Sequence, residues 1–210
     1  MSAMQPDRIA ELLKPFAQEP LDSVQLLALA TYLDLLMRWN QRINLTAVRS
    51  PEGVVTRHFG ESIFATEMLL PRHEAVEVCD VGSGAGFPGL PLKILRPKAR
   101  VTLLEAHGKK ATFLKEVVRA IKLSGVEVVA RRAEDLNREF DIVTLRAVER
   151  FAEVLPIAAN LVRARGCLGL LIGSAQVEEA KGWLSDFHWR EPRPIPQSNS
   201  RVVLIGPKLG

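Results

Sequence analysis

Glycine occupies alternate positions in Gly82-Ser83-Gly84-Ala85-Gly86, directly after the valine-rich run Val76-Glu77-Val78-Cys79-Asp80-Val81 and directly before Phe87-Pro88-Gly89. No other stretch restricts the possible folds as much. An apolar run, a cluster of glycines and a proline-led helical segment describe a buried strand, a tight turn and a helix start. Glycine at these positions permits positive φ and lets backbone N–H groups come close to a ligand, while the helix N-terminus behind it favours negative charge. Such a turn is the ligand end of a doubly wound α/β sheet.

Several ligands use turns of this kind. A G-x-G-x-x-G can be extracted as Gly84, Gly86 and Gly89, but it is offset from the strand end and contains Pro88, so the dinucleotide fingerprint fits poorly. There is no G-x-x-x-x-G-K-[ST], which excludes a nucleoside triphosphate P-loop. The pattern that fits is Asp80-x-Gly82-x-Gly84-x-Gly86 followed by an acid, Glu105, at the end of the next strand in Val101-Thr102-Leu103-Leu104-Glu105-Ala106. A carboxylate there can accept hydrogen bonds from both hydroxyls of a ribose. The arrangement resembles the S-adenosyl-L-methionine site of class I methyltransferases, with Gly82, Gly84, Gly86, Phe87, Glu105, Ala106 and His107 on the cofactor side.

From residue 75 the alternation is regular. Strands are predicted at 76–81, 100–105, 126–130, 140–145 and 167–172, with helices at 88–95, 108–123, 150–164 and 176–187 and a last hairpin ending in Arg201-Val202-Val203-Leu204-Ile205. The expected fold is therefore α/β, a Rossmann-like class I methyltransferase domain with a mostly parallel, seven-stranded, doubly wound sheet over residues 75–210. Residues 1–74 form a helical extension packed on it. Helical spacing runs over 7–17 and 22–43, with a capping box at Asp22 and Gln25, and Ser50-Pro51 starts a further helix. Composition alone reads Trp39-Asn40 through Asn44-Leu45-Thr46-Ala47-Val48 as a helix end and a polar loop. Pro192-Arg193-Pro194-Ile195-Pro196 reads as a stiff connector between the final strands.

Composition, at 47% hydrophobic and 25% charged over 210 residues, is that of a globular chain with a full core. No apolar stretch is long enough to span a bilayer, and Met1-Ser2-Ala3-Met4-Gln5-Pro6 lacks a signal-peptide pattern, so a cytoplasmic protein is expected. Cys79 and Cys167 fall in predicted core strands, which favours buried thiols over a disulfide, and no metal site is expected. Charge is uneven. Residues 1–74 hold seven Lys+Arg against nine Asp+Glu, whereas residues 75–210 hold 21 against 15, and the overall pI is about 9.3.

Ligands bind beyond the carboxyl ends of the parallel strands. There Ala133 and Glu134 are placed to border an adenine, and Lys109, Lys110, Arg131, Arg132, Arg146 and Arg150 crowd the same edge, as a polyanionic partner requires. Phe87 is the best candidate for stacking on a base. The fourth strand ends in Leu145-Arg146-Ala147-Val148, without the Asn/Asp-Pro-Pro-aromatic sequence that serves an exocyclic amine and without a cysteine for covalent attack on a pyrimidine. Arginine cannot act as a base. An acceptor with a lone pair and no proton to lose, such as N7 of guanine, needs none; otherwise a base could come from elsewhere, for instance His58.

Trp39-Asn40 through Asn44-Leu45-Thr46-Ala47-Val48, Arg57-His58 with Ser62, Asp80 to Gly89, Gly108-Lys109-Lys110 and Arg146-Ala147 together resemble the RsmG (GidB) family in order and spacing over nearly the whole chain. The resemblance implies N7-methylation of one guanine in bacterial small-subunit (16S) ribosomal RNA, on free RNA or an assembling 30S particle, with S-adenosyl-L-methionine as donor. It puts Gly82, Phe87, Glu105, Ala133, Glu134 and Arg146 on cofactor positions. Asn44, Arg57, His58, Lys109, Lys110, Arg146 and Arg150 fall on the RNA or acceptor side, with Arg146 orienting and His58 the second catalytic candidate. Two positions depart from the family pattern: Glu61-Ser62 replaces the usual Asp-Ser, and Ile172-Gly173 replaces Lys-Gly. A monomer is expected. A non-catalytic RNA-binding protein on the same scaffold, or a nicotinamide-dependent oxidoreductase, remains as the rival reading; the first would need neither Glu105 nor the full glycine turn, and the second is opposed by the offset glycines.

Overall fold

The computed structural model of the protein describes residues 4–71, 74–146 and 150–210; Ala147, one half of the Arg146-Ala147 element, lies outside them. Strands β1 (Glu77–Val81), β2 (Arg100–Leu104), β3 (Val126–Val129), β4 (Phe140–Arg146), β5 (Val162–Gly173), β6 (Arg193–Pro194) and β7 (Arg201–Pro207) form one sheet in the order 3-2-1-4-5-7-6. β3, β2, β1, β4 and β5 pair in parallel, whereas β7 runs antiparallel to β5 and β6 antiparallel to β7. The strand order reverses between β1 and β4, and the crevice at that reversal is where an α/β sheet of this type receives its ligand.

Side-chain alternation divides the strands between two apolar layers. Val78, Val101, Leu103 and Ile142 point into the layer closed by α1 (Pro6–Leu13), α2 (Ser23–Asn40), α4 (Glu61–Leu69), α5 (Gly89–Leu95) and α6 (Gly108–Ala120). Cys79, Val81, Leu104, Val143 and Leu145 point into the layer closed by α7 (Phe151–Asn160) and α8 (Val177–Trp183). Ile9, Leu29, Leu33 and Leu36 of the first two helices share the first layer with the sheet, and Trp39 Nε1 donates to Glu116 Oε2 at 3.1 Å, tying α2 to α6.

The predicted caps are present: Gln25 N–H donates to Asp22 Oδ1 at 2.8 Å, Asp22 N–H to Gln25 Oε1 at 3.0 Å and Gly53 N–H to Ser50 Oγ at 3.2 Å, opening α2 and α3 (Pro51–Val54). Several boundaries differ from the sequence expectation. The helix predicted over 22–43 stops at Asn40, because the Asn40 side chain takes over the following loop: Oδ1 accepts from Leu45 N–H and Thr46 N–H, each at 3.0 Å, and Nδ2 donates to Thr46 O at 3.0 Å. β5 begins at Val162 rather than 167 and α7 ends at Asn160. A register shift lets Val162 pair with Phe140 and Cys167 with Ile142, with the intervening residues bulged. Within the stretch expected as a stiff connector, Arg193–Pro194 forms one of the sheet's two edge strands, a position where proline's missing N–H costs nothing.

Both cysteines are free thiols, Cys79 buried and Cys167 half-buried, and no helix among the described residues is long and apolar enough to cross a membrane. Among the same residues no group of three His, Cys, Asp or Glu side chains could hold a metal.

Candidate active site

β1 delivers the glycine turn to the carboxyl edge of the sheet. Gly82, Gly84 and Gly86 adopt φ of +66°, +58° and +96°. At Gly84 an added Cβ would meet only the Gly82 carbonyl, at 3.7 Å, so the turn faces open space there; at Gly86 it would stand 2.6 Å from Tyr32 Oη. The turn thus opens towards a ligand on one side and packs on α2 on the other. Glu105, immediately beyond β2 and 7% exposed, accepts Gly84 N–H on Oε2 at 2.8 Å and His107 N–H on Oε1 at 2.7 Å. Each carboxylate oxygen can accept a second bond. Glu105 therefore holds the turn in place and keeps acceptor capacity for two ribose hydroxyls.

Under the turn lies Asp80, fully buried. Its Oδ1 accepts the Thr144 hydroxyl at 2.8 Å and its Oδ2 accepts Gly89 N–H at 3.1 Å. Burial lifts its carboxyl to about 6, and the hydrogen bonds from Thr144 and Gly89 hold it from going higher. Tyr32, also buried, donates its hydroxyl to Ala85 O, and burial raises that phenol well above its ordinary range.

A second group of side chains converges from elements far apart in sequence. Between α3 and α4 the helix widens into a π turn over Val55–Gly60, where Gly60 lies against the Phe16 ring; π turns of this kind recur at functional sites. His58 and Glu61, three residues apart, face Arg146 from this segment. Arg146 Nη2 donates to Arg57 O at 2.9 Å, to His58 Nδ1 at 2.8 Å and to Glu61 Oε2 at 3.1 Å. Glu61, 1% exposed, accepts Arg201 Nε on its other oxygen at 2.7 Å. The remaining imidazole nitrogen, His58 Nε2, is 2.6 Å from Thr46 Oγ1. Burial first, then Arg146, pushes the His58 pKa down to about 2, so the ring is neutral at ordinary pH with both nitrogens engaged.

These groups line three neighbouring cavities. One of about 490 Å³ runs from Gly82, Gly84 and Glu105 past Phe87 to Thr46, His58 and Arg146, and Lys110 and Arg150 border it. A second, of about 250 Å³, extends it over Ala106, Ala133 and Glu134. A third, of about 500 Å³, lies on the other side of Thr46, His58 and Arg146, against Arg57, Gly173 and Arg201. Gly82, Gly84, Phe87, Glu105, Ala106, Ala133, Glu134 and Arg146 thus line adjoining cavities, whereas two expected cofactor-side residues line none: Gly86 packs against Tyr32 and Leu90, and His107 gives its backbone N–H to Glu105. On the acceptor side, Arg57 and His58 line the third cavity, and Arg150 sits between the first two and pairs with Glu153 at 3.0 Å. Asn44 stands apart: it is exposed, and its Oδ1 accepts Arg49 Nη2 at 3.3 Å. Lys109 is exposed beside Lys110 and lines none of these cavities. Phe87 does not offer a stacking face, contrary to the sequence expectation. Its ring is 7% exposed and stacks on His58 at 4.8 Å and on Tyr32 at 5.5 Å, with the Arg146 guanidinium 5.5 Å from its centre.

Residues 25–189 match the family model of GidB, rRNA small subunit methyltransferase G. The chain belongs to that family. The ribosomal RNA small subunit methyltransferase G of Xanthomonas oryzae pv. oryzae is 37% identical over 194 residues, covering 89% of this chain and 90% of that protein. Its counterpart from Staphylococcus carnosus is 38% identical over 170 residues, 76% of this chain and 70% of that protein. Among solved structures, a ribosomal protein L11 methylase from Lactobacillus delbrueckii subsp. bulgaricus superposes with a TM-score of 0.62 at 14% identity, over 74% of this chain and 80% of that one, a likeness of fold. Membership in the GidB family makes the chain a methyltransferase with a class I fold.

Sequence reasoning did not single out Thr46, Tyr32, Thr144 or Arg201 as parts of the site. Thr46 belongs to the Asn44-Leu45-Thr46 stretch, whose composition is that of a loop, and nothing near Arg201 in sequence marks it as the partner of a carboxylate 140 positions earlier.

Proposed function

We propose that the chain methylates N7 of a guanine in small-subunit ribosomal RNA in the cytoplasm, with S-adenosyl-L-methionine as the donor. The glycine turn, Glu105 and the Ala133–Glu134 wall would hold that cofactor. When bound it supplies a methyl group carried on a sulfonium, which a ring-nitrogen lone pair can take without any proton leaving the base. The observation that carries the guanine assignment is that, among the described residues, the acceptor end of the cavity offers no free base. His58 has both nitrogens engaged, Glu61 is held by two arginines, and Arg146 can only donate. An exocyclic amine or a hydroxyl must shed a proton; N7 of guanine does not.

Within this assignment the chain's own residues orient and exclude water rather than move protons. The division at residue 74 has a functional meaning. The helical extension supplies Thr46, His58 and Glu61 to the acceptor wall, and residues 75–210 supply the cofactor cradle and Arg146. Lys110 and Arg150, at the mouth of the first cavity, are placed to meet RNA phosphates.

The test is transfer of radiolabelled methyl to RNA extracted from small subunits and to assembled subunits, with nuclease digestion to identify the labelled nucleoside. Label in 7-methylguanosine at one site is expected. Label in another nucleoside would move the acceptor, and none with either substrate would remove small-subunit RNA as the target.

A further inference from the structure

Thr46, His58 and Arg146 form the partition between the two larger cavities, and the proton positions along this chain of hydrogen bonds follow from its far end. A guanidinium nitrogen only donates, so His58 Nδ1, 2.8 Å from Arg146 Nη2, must be the acceptor. The neutral ring then carries its proton on Nε2, which donates to Thr46 Oγ1 at 2.6 Å. Val48 N–H donates to the same oxygen at 3.1 Å. A hydroxyl oxygen has two lone pairs, and both are now used. The Thr46 hydroxyl can therefore only donate to anything that enters the cavities.

We propose that Thr46 is a specificity residue that reads position 6 of the acceptor purine by donating its hydroxyl proton to the 6-oxo group. The proposal rests on the guanine acceptor argued above and adds how the base is chosen. On the major-groove edge of guanine, O6 lies next to N7, so a donor that holds O6 also places N7. Adenine carries an amino donor at that position, and it would meet a hydroxyl with no lone pair left. Glu61 and the Arg57 carbonyl fix Arg146, Arg146 fixes the histidine tautomer, and the tautomer fixes which way Thr46 can bond. His58 is a positioning residue here, acting through Thr46.

The experiment compares target RNAs carrying guanosine, inosine or 2-aminopurine riboside at the modified position, with wild type, Thr46→Ser and Thr46→Val. Product analysis of wild type on guanosine RNA comes first: absence of 7-methylguanosine removes the guanine assignment itself, whereas its presence leaves Thr46 alone on trial. With wild type and Thr46→Ser, inosine, which keeps O6, should match guanosine within a few-fold. 2-Aminopurine, which lacks O6, should lose about 10- to 100-fold in kcat/KM after correction for the uncatalysed reactivity of its N7. In Thr46→Val the guanosine rate should fall to the 2-aminopurine rate, so the ratio between them collapses to about 1. A Thr46→Val enzyme that slows on both substrates while keeping the wild-type ratio would overturn the proposal. So would a wild-type enzyme that does not distinguish the two RNAs, a comparison that needs no variant to fold.

Discussion

Arg146 Nη2 and Glu61 Oε2 pair at 3.1 Å with side chains only 10% and 2% exposed, joining the end of β4 to the start of α4 across 85 positions. The same carboxylate holds Arg201, so one negative charge is shared between two guanidinium groups, one on each oxygen. Removing one partner of a buried ion pair leaves the other charge uncompensated. Glu61→Gln should therefore destabilise the protein by about 3–5 kcal/mol. Urea denaturation would measure it, and a midpoint equal to wild type would show that solvent already screens these charges.

His58 gives the fold a pH dependence of known sign. Its folded pKa is about 2, against an ordinary 6.5, so above 6.5 the ring is neutral whether folded or not and its contribution is complete. As pH falls through 6.5 only the unfolded chain takes up the proton, and stability should decline by up to about 1.4 kcal/mol per unit. In His58→Gln the slope of unfolding free energy between pH 7 and pH 5 should be shallower by that amount. Equal slopes in the two proteins would mean that the imidazole is protonated in place.

Asp80 acts in the opposite direction. Its folded pKa, raised by burial to about 6, exceeds the ordinary 3.8, so the folded protein holds a proton there that the unfolded chain has lost. Stability from this group is present below 3.8 and is lost as pH rises to about 6. The Thr144 hydroxyl, 2.8 Å from Oδ1, favours the ionised form. Thr144→Val should move the Asp80 titration further upward, followed by carboxyl-carbon NMR, and lower stability above neutral pH by about 1–3 kcal/mol. A titration midpoint unchanged by the substitution would remove Thr144 from the account.

Glu105 accepts from two backbone donors, and an amide cannot reproduce that. In Glu105→Gln one of Gly84 N–H and His107 N–H would face an NH₂ group, and the turn should loosen. Calorimetry with S-adenosylhomocysteine should show a roughly 10- to 100-fold weaker dissociation constant for this variant. Wild-type affinity would place the ribose elsewhere.

Gly86→Ala tests the packed side of the same turn. A methyl group there meets Tyr32 Oη at 2.6 Å and Leu90 Cδ1, at a φ of +96° that alanine rarely adopts. A loss of about 2 kcal/mol or more in thermal or urea unfolding is expected. A fully stable Gly86→Ala protein would show that α2 can shift away from the turn.

What the chain's order of residues determined by itself is local in origin. The valine run, the glycines at 82, 84 and 86 and the capping box at Asp22 each encode a conformation within a few residues, and the alternation of strand and helix then restricts the sheet to a doubly wound topology. Glu105 was legible because strand-end position follows from that topology. Boundaries differ where a side chain replaces the helix's own hydrogen bonds, as when Asn40 accepts from Leu45 and Thr46 five and six positions on, or where β5 bulges to keep register with β4. The acceptor wall was not legible as a unit. His58 and Arg146 stand out in sequence, and Glu61 as a departure from the family pattern, but nothing there joins them to Thr46 or Arg201; only tertiary packing brings the five within hydrogen-bonding distance across separations of 12 to 140 positions. Their protonation and bonding polarity depend on burial and on neighbouring charge, neither of which exists until the chain has folded.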